Sequence, residues 1–527
     1  MTAIVKSFAT SGVDGYVVDV EVSVVQGQHK MYIVGLGDTA VQEARERVQA
    51  AINDSQLVFP PKKTVVNLAP SDIKKSGSHF DLAIAVGLLK ETGQLVTTRT
   101  GPFAFIGELS LDAKLRAVSG VLPMVMAARD AGLTKVIVPV DNVPEASLVT
   151  GVEILGFSAL NEVVEYLEGR REIEEQSFPV DKEILLPSSV DFADVQGQEA
   201  LIEFVVVAAA GGHNLLMVGQ PGCGKSMVAK RIPTILPGMT EEEALEVTKI
   251  HSVAGALKEK GALIRPRPFR APPHNASTNS LIGGGHNACP GEISLAHNGV
   301  LFLDEISEFS KKTLNSLRQP LEDGKVTVSR VRHSNTYPAS FMLVAAMNPC
   351  PCGHYGDDKC HCTDYEVLKY RQKLSGPVMD RMDIQKYVRP VDFKRLAATS
   401  AGPSSADLRE RVDRARKIQQ DRFQGVPMVN SNAQMSNSLI RQHCLIEKDG
   451  QKLMSLAYDR FNYSARTYYK YIKVARTFAD LDGAEIIRKA DITAALMCRD
   501  LEKGIGKSDL LALVMVGQGR WPGNSKK

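Results

Sequence analysis

Residues 219–226 read GQPGCGKS, a glycine, four residues, then Gly-Lys-Ser. This spacing suits phosphate chemistry. Gly219, Gln220, Pro221, Gly222, Cys223 and Gly224 can turn backbone N–H groups inward around phosphate oxygens. Lys225 can reach the β- and γ-phosphates, and the Ser226 hydroxyl can hold Mg²⁺. Residues 299–305, GVLFLDE, end an apolar run in two carboxylates. Asp304 suits a water-mediated Mg²⁺ contact, and Glu305 suits a general base that orients and deprotonates the attacking water. Asn348 closes the run FMLVAAMN, where its amide can contact a γ-phosphate or position the water. Arg381, in SGPVMDRMDI, and Arg466, in YSARTYYKYIKVAR, are the arginines best suited to neutralise phosphate charge. Arg381 falls between a helix and a strand, where it can project across a subunit interface. An arginine supplied in trans can contribute roughly 10³–10⁵ in turnover.

A second constellation follows Asn348. Residues 348–362 read NPCPCGHYGDDKCHC, which sets Cys350, Cys352, Cys360 and Cys362 in two Cys-x-Cys arms. Four thiolates suit structural Zn²⁺ with no open position, although the arms are tighter than the usual spacing. His354 and His361 are spare ligands, and unliganded buried thiols are the competing reading. Cys223, Cys289, Cys444 and Cys498 are isolated and are expected in the core.

These residues need elements to hold them. The apolar runs HNLLMVG, GVLFLDE and FMLVAAMN, bounded by glycine or acidic residues, predict a parallel sheet covered on both faces. They fall in a block over 191–390. An earlier block, 1–167, alternates short strands (Tyr16–Val24, Thr64–Asn67) with helices (Ala40–Ala51, Asp81–Lys90). The charged stretch 168–190 reads as a linker. Residues 391–510 have helical pattern throughout, clearest over Ala406–Phe423 and Ser464–Leu481, and 511–527 form a polar tail. The chain has 527 residues and a net charge of +3, which neither demands nor excludes nucleic acid. No run of about eighteen apolar residues appears, so no membrane association is expected. Eight cysteines without an export-type segment point to a reducing cytoplasm.

Taken together, DFADVQGQEA, GQPGCGKS, PGEISLAHNGVLFLDE, AAMNPCPCG and SGPVMDRMD resemble the magnesium-chelatase-like branch of the AAA+ ATPases, and within it the ComM/YifB family. The resemblance implies an α/β chain: a Lon protease-like (ribosomal S5 domain 2-like) α+β domain, then a P-loop AAA+ core and an α-helical lid. It implies that Lys225 and Ser226 are the Walker A residues, and that Asp304 and Glu305 are the Walker B residues. It makes Asn348 sensor 1, Arg381 the arginine finger, and Arg466 a sensor 2 that can act on a neighbour's nucleotide. The implied function is an ATP- and Mg²⁺-dependent homo-hexameric motor on single-stranded or branched DNA, a branch-migration helicase of homologous recombination or natural transformation. The alternative is a protein-remodelling or metal-chelatase-type motor subunit without DNA dependence.

Lys225 and Asp304 are 79 positions apart, leaving room for an insert over 260–298. That insert resembles the helix-2 insert and, rich in Arg, Pro, Gly and His, is expected to be a loop. Pro273–His274 stand where family members usually show two histidines. Residues 322–338 resemble the pre-sensor-1 hairpin, whose Arg330, Arg332 and His333 would contact phosphates in a central pore. The Lon-like domain carries SGSHFDLA where peptidases carry a PSAG-type turn, so Ser76 and Ser78 are not expected to be nucleophiles. It is expected to be a structural or DNA-engaging platform.

Overall fold

The computed structural model describes residues 2–73, 75, 77–172, 190–257, 263–285, 288–330, 333–374, 376–391, 402–426 and 429–503. Ser76, Arg332, most of the 168–190 linker and the whole 511–527 tail lie outside them.

The first block contains a seven-stranded mixed sheet. Strand Asp14–Val25 shows why it forms: Val18, Val20 and Val22 are buried while Asp19 and Glu21 face the other side. A period of two in burial is the mark of a strand with one covered face. Helices Thr39–Asp54 and Asp81–Glu91 cover that face. Asp38 caps the first by accepting from the Val41 N–H at 2.9 Å. The second is buried from Asp81 to Leu89, so its Asp81 needs a partner, and Arg47 donates to it at 2.6 and 3.0 Å. The block ends with helix Leu160–Leu167.

The second block is built on five parallel strands in the order Phe269–Arg270, Val300–Leu303, Met342–Met347, Leu215–Gly219, Ile384–Val388. Successive residues point to opposite faces. Leu215, Met217, Val300, Phe302 and Val344 join one core; Leu216, Val218, Leu301, Leu303 and Leu343 join another. Both faces are therefore dry, which explains the uninterrupted apolar runs.

The insert is not a loop. Strand Phe269–Arg270 extends the central sheet, and helices Thr278–Ile282 and Glu292–Leu295 sit beside it. Leu281, Ile293 and Ala296 are fully buried in the same core as Val326, Val328 and Tyr337 of the hairpin. Its glycines and prolines mark tight connections between short packed pieces, which composition alone does not distinguish from a loop. The hairpin pairs Lys325–Arg330 with His333–Pro338 and closes on the register pair Arg330–His333.

Helices Ser405–Arg422, Lys448–Phe461, Ala465–Leu481 and Lys489–Leu496 form the third block. Val412, Ala415, Leu453 and Ala475 share one core with the outer face of the central sheet. Buried Asp480 holds this block together, accepting from Arg422, Arg476 and Asn432. Cys223, Cys444 and Cys498 are buried as expected, but Cys289 is exposed. It lies in the two-residue strand Cys289–Pro290, where Ala288 and Pro290 are buried and the residue between them faces out.

Candidate nucleotide site and cysteine knuckle

The glycine-rich turn leaves the C-terminal end of strand Leu215–Gly219 and enters helix Lys225–Ile235 through Gly224, at φ 90°. Lys225 is almost fully buried. Its ammonium donates to the carbonyls of Gly219 (2.6 Å) and Gln220 (2.9 Å) and to Asn348 Oδ1 (3.3 Å). The Ser226 hydroxyl donates to Asp304 Oδ2 at 2.6 Å. Lys225, Ser226, Asp304 and Asn348 thus converge at the C-terminal ends of three adjacent parallel strands. Ligands of open α/β sheets bind outside such ends, and the N-terminus of helix Lys225–Ile235 adds its partial positive charge. A hydroxyl and a carboxylate for Mg²⁺, and an ammonium beside a glycine-rich turn for phosphates, fit a nucleoside triphosphate.

Glu305 sits at φ 50°, in the left-handed region. That conformation costs a non-glycine residue roughly 1–2 kcal/mol, and such backbone concentrates at functional sites. Its carboxylate is half-exposed and lies 3.9 Å from His274 Nδ1.

Arg381 and Arg466 are elsewhere. Ile384 pairs with Leu215 and Val388 with Gly219, so Arg381 precedes the strand end opposite the phosphate loop. Four strand steps separate the two ends by about 13 Å. Arg381 is largely covered and its guanidinium donates to Glu322, at the base of the hairpin. Arg466 is exposed on the first turn of helix Ala465–Leu481. One turn further on, Lys470 donates to the Asp380 and Met382 carbonyls, which docks that helix at the Arg381 end. Partly buried Asp383 reinforces the docking, 3.6 Å from the Lys470 ammonium. Burial pushes its carboxyl up, but the neighbouring His213 ring, 3.6 Å away, and the Lys470 charge outweigh this and hold it below the usual range.

The four cysteines close on one another. Cys350 Sγ lies 3.3 Å from Cys352 Sγ and 3.9 Å from Cys360 Sγ, and Cys352 and Cys360 are 3.7 Å apart. All four sulfurs, including that of Cys362, lie within 4.8 Å of one another. A tetrahedral Zn²⁺ with Zn–S near 2.3 Å separates its sulfurs by about 3.8 Å, so the donor set fits a closed structural site. The Cys352 thiol is drawn down to about 6, first by the backbone N–H groups of His354 and His361.

The structure thus brings together Lys225, Ser226, Asp304, Glu305 and Asn348, and separately the four cysteines. It leaves Arg381 and Arg466 apart from both. The side chains of Arg330 and His333 lie outside the described residues, as does Arg332. Sequence reasoning missed His274 beside Glu305 and Glu322 on Arg381. The Pro273–His274 pair marked the first, and nothing in the sequence marked the second. In the N-terminal domain the Ser78 hydroxyl donates to Glu108, a carboxylate rather than a lysine. Among the described residues, no helix is long and apolar enough to cross a membrane.

Three family models match the chain: "Magnesium chelatase, subunit ChlI" over residues 191–396, "Subunit ChlI of Mg-chelatase" over 20–142, and "Magnesium chelatase, subunit ChlI C-terminal" over 402–499. The chain is 40% identical to YifB of Escherichia coli over 502 residues, 95% of this chain and 97% of that protein. It is 38% identical to competence protein ComM of Haemophilus influenzae over 515 residues, 96% of this chain and 99% of that one. It is also similar to a protein of Mycobacterium tuberculosis, 39% identical over 94% of this chain and 97% of the relative.

Proposed function

Because the chain belongs to the ComM/YifB family of magnesium-chelatase-like AAA+ proteins, we propose that it is an ATP-hydrolysing hexameric motor on DNA, a branch-migration helicase of recombination or natural transformation. The observation that carries the reading is the opposed placement of two half-sites. Lys225, Ser226, Asp304, Glu305 and Asn348 stand at one end of the central sheet, with Arg381 and Arg466 at the other. A subunit of this shape has the phosphate grip but not the charge neutralisation, and an adjoining copy supplies what is missing. Repetition of that contact closes a ring.

Within each interface the chain's residues divide the work. The loop N–H groups and Lys225 bind the phosphates, and Ser226 and Asp304 hold Mg²⁺, which when bound neutralises phosphate charge. Glu305 takes the proton of the attacking water, Asn348 orients that water against Lys225, and the neighbour's Arg381 neutralises the leaving charge. Cys350, Cys352, Cys360 and Cys362 hold a structural Zn²⁺ that fixes the chain just after Asn348. DNA as the track rests on the competence protein among the relatives and on the basic hairpin.

The test is steady-state ATP hydrolysis with four-way junction, single-stranded and duplex DNA, repeated with Arg332→Ala. Stimulation by branched or single-stranded DNA that the substitution removes is the expected result. Turnover indifferent to every DNA refutes the DNA motor and leaves a protein-remodelling or chelatase-type motor.

A further inference from the structure

We propose that the cysteine knuckle is a brace on the phosphate loop, and that Gly353 and Asp357 are positioning residues that set nucleotide affinity. Gly353 lies between the two cysteine arms, and its Cα faces the ring of Pro221, the third residue of the loop. A Cβ at Gly353 would stand 2.8 Å from Pro221 Cδ and 2.9 Å from Cγ, closer than such atoms approach. The adjacent loop residue is tied as well: Gln220 Nε2 donates to Asp357 Oδ2 at 3.3 Å. Asn348, two residues before buried Cys350, accepts from Lys225.

The knuckle therefore meets the loop at Pro221 and Gln220, and the chain leading into it meets Lys225. The loop itself is soft, because Gly222 and Gly224 both sit at positive φ (77° and 90°) and carry no side chain to pack. A phosphate cradle made of N–H groups binds well only if those groups are already aimed. Here the aim is supplied by a neighbouring unit whose four sulfurs cluster within 4.8 Å of one another. A shift of the knuckle moves Pro221 and Asn348 together, so grip and water positioning change as one. The inference rests on the nucleotide-site reading above. It needs the zinc only as what closes the knuckle, since the Gly353–Pro221 contact involves no ion.

The experiment uses the full chain and two separate readouts: metal content by mass spectrometry, and affinity for a fluorescent ATP analogue with Mg²⁺. Gly353→Ala is expected to weaken nucleotide binding about tenfold, about 1.4 kcal/mol, with metal content unchanged. Gly353 has φ 83°, so alanine there is strained whatever it touches. Adding Pro221→Ala separates the two causes: recovery of most of the lost affinity, relative to Pro221→Ala alone, supports the contact. No recovery, or an unchanged affinity in folded Gly353→Ala, overturns the proposal. If Gly353→Ala does not fold, Asp357→Ala decides. It is expected to weaken binding about two- to threefold, the size of one exposed hydrogen bond, and to speed amide exchange over 219–224; no change in either overturns the brace. Metal content below one ion per chain refutes the zinc reading by itself. Failure of the unsubstituted chain to bind the analogue refutes the nucleotide reading.

Discussion

Replacing His79 with asparagine should make the N-terminal domain markedly less sensitive to mild acid. His79 is 6% exposed, and its Nε2 is buried without a hydrogen-bond partner among the described residues. Burial pushes the imidazole down from 6.5 to about 4. In the unfolded chain the ring takes a proton near pH 6.5, whereas in the folded chain it stays neutral until about pH 4. Between those values the unfolded state carries one more proton, so stability rises with pH by about 1.4 kcal/mol per pH step of one. The contribution is fully present above pH 6.5 and is lost as pH falls through the window to about 4. Over the whole window the loss is about 3 kcal/mol, and from pH 7 to pH 5 it is about 2 kcal/mol. That is a large share of the 5–15 kcal/mol of a typical domain. Hydrogen exchange of helix Asp81–Glu91 in the full chain, corrected for intrinsic rates, measures the local stability at the two pH values. His79→Asn also removes ring packing against Phe80, whose centroid is 4.2 Å away. That cost is the same at both pH values, and every other titrating group is common to the two proteins. The wild type should therefore lose about 2 kcal/mol more than the variant between pH 7 and pH 5. Equal losses would refute the reasoning.

Lys225→Ala should abolish binding of the ATP analogue, whereas Glu305→Gln should bind it and lower turnover by at least about 10²-fold; equilibrium titration and phosphate release distinguish them. Arg381→Ala should bind nucleotide and not hydrolyse it. Mixing it with Lys225→Ala should restore part of the turnover, because each variant supplies the half-site the other lacks; mixtures as dead as the parents would exclude sharing between subunits. Asp480→Ala leaves Arg422 and Arg476 without their buried carboxylate. It should destabilise the helical third block by roughly 3–5 kcal/mol, read by urea unfolding monitored by circular dichroism.

Much of the nucleotide site was legible because its chemistry is local in sequence. GQPGCGKS reads as a strand end, a turn and a helix in that order, because glycine takes the positive φ of Gly222 and Gly224 at little cost and the helix that follows places Lys225 and Ser226 at its first turn. GVLFLDE and FMLVAAMN announce buried parallel strands because neither face can carry a polar side chain. The four cysteines stand out by number and type, and the structure gathers their sulfurs within 4.8 Å of one another. The insert at 260–298 was misread because composition records glycine and proline but not the few apolar anchors, Leu281, Ile293 and Ala296, that pack it.

What the sequence alone determined is therefore the set of parts: a glycine-rich Gly-Lys-Ser turn, two acidic residues, an amide at a strand end, four thiols and two arginines. The tertiary structure decided which parts face each other. Strand order put Asn348 beside Lys225 and sent Arg381 to the opposite end of the same sheet. Packing set Gly353 on Pro221, His274 beside Glu305 and Glu322 on Arg381. None of these pairings has a periodicity or a spacing, because each joins residues brought together only when separate elements bury their apolar faces against a common sheet.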